Sequence, residues 1–99
     1  MENRRSYPVF MVFNGRVFNE VQIDPHYEEN HHKYMSDDFI LRLVKRLNRS
    51  HVPVQGQADG WDYYEIDSNE KDGRSYRIVI CTSKFESYIG VINCYRRKR

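Results

Sequence analysis

Two groups of residues in this 99-residue chain have side chains whose types suit proton transfer and anion binding. The first is a short polar segment that combines histidines with a tyrosine and a lysine: His26, Tyr27, His31, His32 and Lys33. The second lies near the other end of the chain, where arginines and tyrosines flank apolar residues: Arg74, Arg77, Tyr88, Tyr95, Arg96 and Arg97. Histidine exchanges protons near neutral pH, and the planar arginine fork matches phosphate oxygens.

These residue types suit the cleavage of RNA without a metal ion. That reaction needs a base for the 2′-hydroxyl, an acid for the leaving oxygen and fixed cations against the charge of the phosphorane. We therefore predict that His31 and His26 form the acid–base pair. The predicted RNA- and phosphate-binding residues are cationic or aromatic, since exposed tyrosines can stack on bases: Arg74, Arg77, Arg96, Arg97, Lys33 and Tyr88.

Each of these residues also has a structural interpretation. A histidine cluster in a polar linker is commonly solvated surface, and Tyr88 and Tyr95 suit a strand without any ligand. Arg77 could pair with Glu65 or Asp67, and the basic chain end could be a fraying tail. Two other functions stay open. One is a non-enzymatic interaction or regulatory module whose basic edge binds an acidic protein or a nucleic acid. The other is a small stand-alone fold whose histidines have no special role.

The sequence contains no strong metal or cofactor motif. Five side chains could bind a metal, but their spacing matches no common zinc pattern: His26, His31, His32, Cys81 and Cys94. A glycine-rich phosphate loop and a nucleophile elbow are also missing. We therefore predict no cofactor and no metal. The two cysteines are expected to be reduced, although Cys81 and Cys94 could face each other if the turn between their strands set that register.

Composition predicts one domain spanning residues 1–99. The charged fraction of 30% fits a globular chain, and the formal net charge is only +2. The charges are unevenly distributed, because residues 74–99 hold seven Lys or Arg side chains against a single acid, Glu86. Such a distribution favours an anionic partner. The first residues, MENRRSY, lack the apolar region of a signal peptide, so a cytoplasmic location is expected.

The clearest local prediction is a β-hairpin around Asn14-Gly15. This dipeptide separates two apolar runs and favours a two-residue turn with positive φ at both positions. Such a turn sets Val12 opposite Val17 and Met11 opposite Phe18. Pro25 then ends the second strand, because proline cannot donate to the ladder.

One main helix is predicted to begin after Ser36, a preferred N-cap residue followed by two acids. Its apolar stripe comprises Phe39, Ile40, Leu43, Val44 and Leu47, and it should end near Asn48. Residues 51–60 are predicted to be a connector.

Three further strands are predicted, at residues 61–67, 76–82 and 88–95. Gly90 within the last of them indicates a bulge or a close approach by another chain or a ligand. The element order β-β-α-β-β-β, with a possible short extra helix near residues 26–33, predicts an α+β fold. We expect an antiparallel sheet of four or five strands, covered on one face by one main helix.

This layout resembles a group of small ribonucleases. The segments HYEENH, SDDFILRLVKRLN, DGWDYYEID, DGRSYRIVIC and YIGVINCYRR are similar in order and residue type to the shorter members of the RelE-type and BrnT-type toxins. The resemblance implies a metal-independent endoribonuclease of a toxin–antitoxin system, with RNA as substrate and a protein antitoxin over the basic face. By position, His26 and His31 correspond to its histidines, and Arg74, Arg77 and Arg96 to its phosphate-binding cations. The hairpin at Asn14-Gly15 departs from the usual RelE arrangement.

Overall fold

A computed structural model describes residues 3–97 of the chain, so Lys98 and Arg99 of the basic end lie outside the described part. The elements within this range are β1 (Arg5–Phe13), β2 (Arg16–Ile23), a 3-10 turn (Pro25–Tyr27) that runs into α1 (Glu28–His31), α2 (Asp37–Lys45), β3 (Gly56–Ala58), β4 (Trp61–Asn69), β5 (Ser75–Ser83) and β6 (Tyr88–Arg96). None of the helices between residues 3 and 97 is long and apolar enough to cross a lipid bilayer.

The strands form a single sheet in the order β1-β2-β6-β5-β4-β3. Neighbouring strands are antiparallel except β2 and β6, which run parallel. The predicted antiparallel sheet of four or five strands under one main helix is therefore wrong. The described chain instead forms a six-stranded mixed half-barrel with two short helices.

Two features cause this difference. The parallel pairing sets Val21 beside Ile89 and Ile23 beside Val91, and all four side chains are buried. An apolar strand pattern specifies burial but not the direction of a distant partner. The second feature is β3, which lies in the predicted connector. It has only three residues and forms by pairing with β4, so no periodic pattern marks it.

The predicted β1–β2 hairpin is confirmed in turn type and register. Asn14 and Gly15 have φ values of 52° and 76°, and Val12 pairs with Val17 as Met11 pairs with Phe18. The Asn14 side chain also bonds both the N–H and the carbonyl oxygen of Val52. The turn therefore holds the segment that follows α2 as well as its own two strands.

Helix α2 begins as predicted, with the Ser36 hydroxyl accepting a hydrogen bond from the Phe39 N–H at 3.2 Å. Its Ile40, Leu43 and Val44 side chains are buried against one face of the sheet. The helix ends at Lys45 rather than near Asn48. The residues beyond it bind the outer edge of β1: the Asn48 side chain accepts from the Val12 N–H, and the Arg49 N–H donates to the Val12 carbonyl.

The two cysteines lie in different register positions. Cys81 pairs with Gly90 and Cys94 pairs with Ile78, so the two thiols do not face each other across β5 and β6. Both are free and buried, and burial raises the pKa of the Cys94 thiol to about 12. A Cβ at Gly90 would lie 2.9 Å from the Cys81 sulfur, so the close contact at this glycine comes from the paired strand of the same chain. The predicted approach of another chain or a ligand stays a prediction.

Candidate phosphate-binding site at the end of β6

The C-terminal half of β6 lies beside the 3-10 turn and α1, since the 3-10 turn contacts β6 and His31 of α1 stacks on Tyr95. β2 pairs with β6 only as far as Val91, which leaves residues 92–96 with an unpaired edge. The Cys94 N–H donates to the neighbouring Asn93 side chain at 2.9 Å, and the Arg96 N–H donates to the Tyr34 hydroxyl at 3.3 Å. The turn after α1 therefore supplies a hydrogen-bond acceptor to a backbone N–H on the unpaired edge of β6, and sheets generally protect such edges.

His31 lies at this edge. Its ring stacks on the Tyr95 ring, with centroids 5.8 Å apart and an interplanar angle of 27°. Its Nδ1 lies 2.7 Å from the Tyr34 hydroxyl oxygen, a short hydrogen bond. Both ring contacts fix the orientation of the imidazole. The side chain is half-buried, so solvent and ligands can still reach it.

Arg96 contacts the same tyrosine through its ring. Its guanidinium carbon lies 4.1 Å from the centroid of the Tyr34 ring and 5.8 Å from that of Tyr76. These are cation–π distances. The Nε atom is buried without a hydrogen-bond partner, and Arg96 forms no ion pair with any residue between 3 and 97. Tyr34 thus joins a fixed imidazole to a cation that has no ion-pair partner among the described residues.

His26 is not part of this arrangement. It lies in the 3-10 turn before α1 and is exposed, with its Nδ1 3.0 Å from a Glu29 carboxylate oxygen. Within residues 3–97, no hydrogen bond or ring contact joins it to His31. The structure therefore does not bring the predicted acid–base pair together in direct contact.

Arg77 and Arg97 lie beside the site but are already paired. Arg77 pairs with Tyr95 in the β5–β6 register and forms ion pairs with Glu65 at 3.2 Å and Asp67 at 2.9 Å. The structural alternative for Arg77 is thus confirmed. Arg97 binds the same Asp67 at 2.7 Å. The hydrogen bond from Arg77 lowers the pKa of the Asp67 carboxyl, so this acid is ionised and offsets both cations.

The other predicted binding residues lie apart from the Tyr34 contacts. Arg74 is exposed in the turn before β5, where its Nε lies 3.8 Å from Asp72. Lys33 is exposed in the turn after α1. Tyr88 begins β6, and its hydroxyl accepts a hydrogen bond from Arg4 while its ring packs against Trp61. Since a strand rises about 3.3 Å per residue, Tyr88 lies roughly 20 Å along β6 from Tyr95.

A second polar cluster holds the segment that carries His31. Asp37, in the first turn of α2, accepts hydrogen bonds from Arg5 at 2.5 and 2.8 Å, from Tyr7 at 2.5 Å and from Tyr27 at 2.7 Å. Burial opposes ionisation of Asp37, but these hydrogen bonds outweigh it and lower its pKa to about 2. The cluster therefore ties β1, the 3-10 turn before α1 and the start of α2 to one carboxylate.

Sequence reasoning missed Tyr34 and Asp37 as organising residues. Tyr34 follows His31 by three positions, a spacing that places two helical side chains side by side, and this signal was available. The Asp37 cluster joins residues from three separate elements, and no local pattern indicates it. No group of three or more His, Cys, Asp or Glu side chains in the described range is arranged to hold a metal ion.

Comparison with known proteins gives no relative: no family model matches the chain, and neither does any curated protein or solved structure. The resemblance to RelE-type and BrnT-type toxins therefore stays a prediction. The contacts among His31, Tyr34, Tyr95 and Arg96 are the structural basis for the function proposed below.

Proposed function

We propose that this protein binds RNA and cleaves it without a metal ion, as a toxin-like endoribonuclease, at the surface formed by His31, Tyr34, Tyr95 and Arg96. The observation that carries the proposal is the position of Tyr34, whose hydroxyl bonds His31 and whose ring supports Arg96. A proton-transfer group and a cation without an ion-pair partner in residues 3–97 thereby contact one side chain.

Arg96 is the phosphate-binding residue in this proposal. A partly buried cation without a counter-anion is unfavourable, and a phosphate oxygen would supply both the missing charge and a hydrogen-bond acceptor. The two tyrosine rings hold the guanidinium in place, so little side-chain entropy is lost on binding. Arg77 and Arg97 contribute less, because Asp67 already neutralises part of their charge.

His31 is the proton-transfer group. In the tautomer that carries its proton on Nδ1, the ring donates to the Tyr34 oxygen and leaves the Nε2 lone pair available as a base. Nε2 takes the proton of the 2′-hydroxyl as the 2′-oxygen bonds to phosphorus and the bond to the 5′-oxygen breaks. The imidazolium then returns that proton to the leaving oxygen. The products are a 2′,3′-cyclic phosphate and a 5′-hydroxyl end.

The experiment uses an end-labelled, mixed-sequence RNA incubated with the purified protein in excess chelator. We expect fragments that end in a 2′,3′-cyclic phosphate, and no cleavage of the same sequence made with 2′-deoxyribose. Cleavage of the deoxy substrate, or a need for divalent metal, would contradict the mechanism. RNA binding without any cleavage would favour the interaction module instead.

A further inference from the structure

A groove runs along the outer surface of α2 and adjoins β1. Its first part encloses about 450 Å³ and is lined by Asp38, Leu41, Arg42, Lys45 and Arg46. Its second part encloses about 290 Å³ and is lined by Pro8, Val9, Phe10, Met11, Lys45 and Asn48. Lys45 lines both parts, so the two form one continuous surface.

The groove exposes apolar side chains. Phe10 is 81% exposed, the largest value among the exposed large apolar side chains of the described chain. A bulge in β1 puts it there: between the pairs Pro8–Glu20 and Met11–Phe18, two residues of β1 oppose one residue of β2. Bulges change the direction of a side chain and bend a strand. Leu41 adds a half-buried apolar side chain on α2.

The rim of the groove is cationic. Arg42 and Arg46 both bind Glu70, yet their side chains remain 59% and 48% exposed. Lys45 has no ion-pair partner anywhere in residues 3–97. Asp38 is the one acid among the lining residues of either part. Lys45 is therefore the rim cation that is available to a partner, while Glu70 offsets part of the charge of Arg42 and Arg46.

We propose that this groove binds an acidic polypeptide segment whose own apolar side chains contact Phe10 and Leu41. A carboxylate of the segment pairs with Lys45, while Arg42 and Arg46 contribute less because Glu70 already offsets part of their charge. The apolar residues of the segment pack on Phe10 and Leu41, which is the arrangement of anchor and rim found in peptide-binding grooves. A nucleic acid fits less well: Phe10 offers a single stacking face, while Pro8, Val9 and Leu41 offer its bases neither stacking nor a hydrogen bond. The proposal does not depend on RNA cleavage.

The test selects ligands from a phage-displayed library of random peptides on the immobilised full-length protein. We expect enriched peptides to combine Asp or Glu with Leu, Phe or Trp. A synthetic copy of an enriched peptide should bind at least about tenfold more weakly to Phe10→Ser and to Lys45→Glu, since each removes an anchor or a rim charge. The matched controls are Phe85→Ser and Lys84→Glu. Phe85 is 78% exposed in the turn before β6, with the Lys84 ammonium 5.3 Å from its ring.

Several results would overturn the proposal. They are a failure to enrich any peptide, enrichment of neutral or basic peptides, and equal binding by the groove variants and the controls. Displacement of the peptide by single-stranded RNA, together with RNA binding that requires Phe10, would assign the groove to nucleic acid. A dimer of the wild-type protein in sedimentation that Phe10→Ser dissociates would assign it to a second copy. Circular dichroism melts establish that each variant is folded.

Discussion

At the residue scale, the surroundings of two charged side chains distinguish a structural role from a binding role. Asp37 is a carboxylate that accepts four hydrogen bonds from Arg5, Tyr7 and Tyr27. Arg96 is the opposite case, a cation held between two aromatic rings with a buried Nε that lacks a partner. The first is fully satisfied and suits a structural role. The second has no ion-pair partner among the described residues and suits the binding of an anion.

The Asp37 cluster predicts a specific loss of stability in acid. Because its folded-state pKa is about 2, below the ordinary value of 3.8, the stabilisation is complete above about pH 4 and is lost as pH falls through 2. Asp37→Asn should lower the free energy of unfolding at pH 7 by roughly 1 to 2 kcal/mol. It should also flatten the pH dependence of stability between pH 4 and pH 2. Urea titrations at several pH values measure both effects.

Asp38→Asn is the control, because Asp38 is the exposed neighbour of Asp37 in the same helical turn. We expect it to cost only the smaller helix-dipole contribution, up to about 1 kcal/mol. Equal effects of the two substitutions would show that the hydrogen bonds to Asp37 add nothing.

Arg96 predicts a salt-dependent contribution to RNA binding. Arg96→Gln should weaken binding to a single-stranded RNA of any sequence and reduce the slope of log affinity against log salt by about one. Arg74→Gln should leave that slope nearly unchanged, because Arg74 is exposed and close to Asp72. Fluorescence anisotropy at a series of salt concentrations gives both slopes. If the two variants behave alike, Arg96 is not the phosphate-binding residue.

At the element scale, the turn and the helix cap, which depend on neighbouring residues, were predicted correctly, whereas strand pairings between distant segments were not. The Asn14-Gly15 hairpin and the Ser36 cap depend on neighbouring residues, and the structure confirms both. The parallel pairing of β2 with β6 and the short β3 depend on residues far apart in the chain. Burial on both faces leaves the direction of β6 unspecified by its own sequence. These non-local pairings are why the fold class was predicted wrongly.

The β1–β2 hairpin predicts how a substitution at Gly15 changes the stability of the fold. Gly15 has a φ of 76° and open space where a Cβ would stand, so a side chain there meets strain and not a clash. Gly15→Val should therefore reduce the free energy of unfolding by about 1 to 2 kcal/mol. Thermal or urea unfolding measures the change.

Gly56→Val is the matched control for the hairpin. Gly56 lies in β3, also has open space around it and lacks a positive φ. Valine suits a strand, so this substitution should cost little. Equal losses in the two variants would contradict the assignment of strain to the turn.

At the scale of the whole molecule, the fold determines which predicted residues meet. The sequence placed His31 and Arg96 in two groups at opposite ends of the chain, and the structure joins them through Tyr34 at the free edge of β6. It leaves His26 with Glu29, and Arg77 and Arg97 with Asp67. Residue types could be predicted because they follow from the chemistry. The pairing of Arg77 with Glu65 or Asp67 was among the structural alternatives, but the partners of His31 and Arg96 could not be predicted, because they depend on which strand edge is left uncovered.

The central claim is that His31 transfers the proton in RNA cleavage. His31→Ala should reduce the single-turnover rate on a mixed-sequence RNA by about 10²- to 10⁴-fold, in the presence of a chelator, while RNA affinity and the melting temperature stay close to wild type. His32→Ala is the control, since His32 is exposed beside it and its Nδ1 contacts only the Glu28 carbonyl oxygen, at 3.1 Å. This variant should cleave at the wild-type rate. Equal rates for His31→Ala and wild type, or no cleavage by the wild-type protein, would contradict the claim.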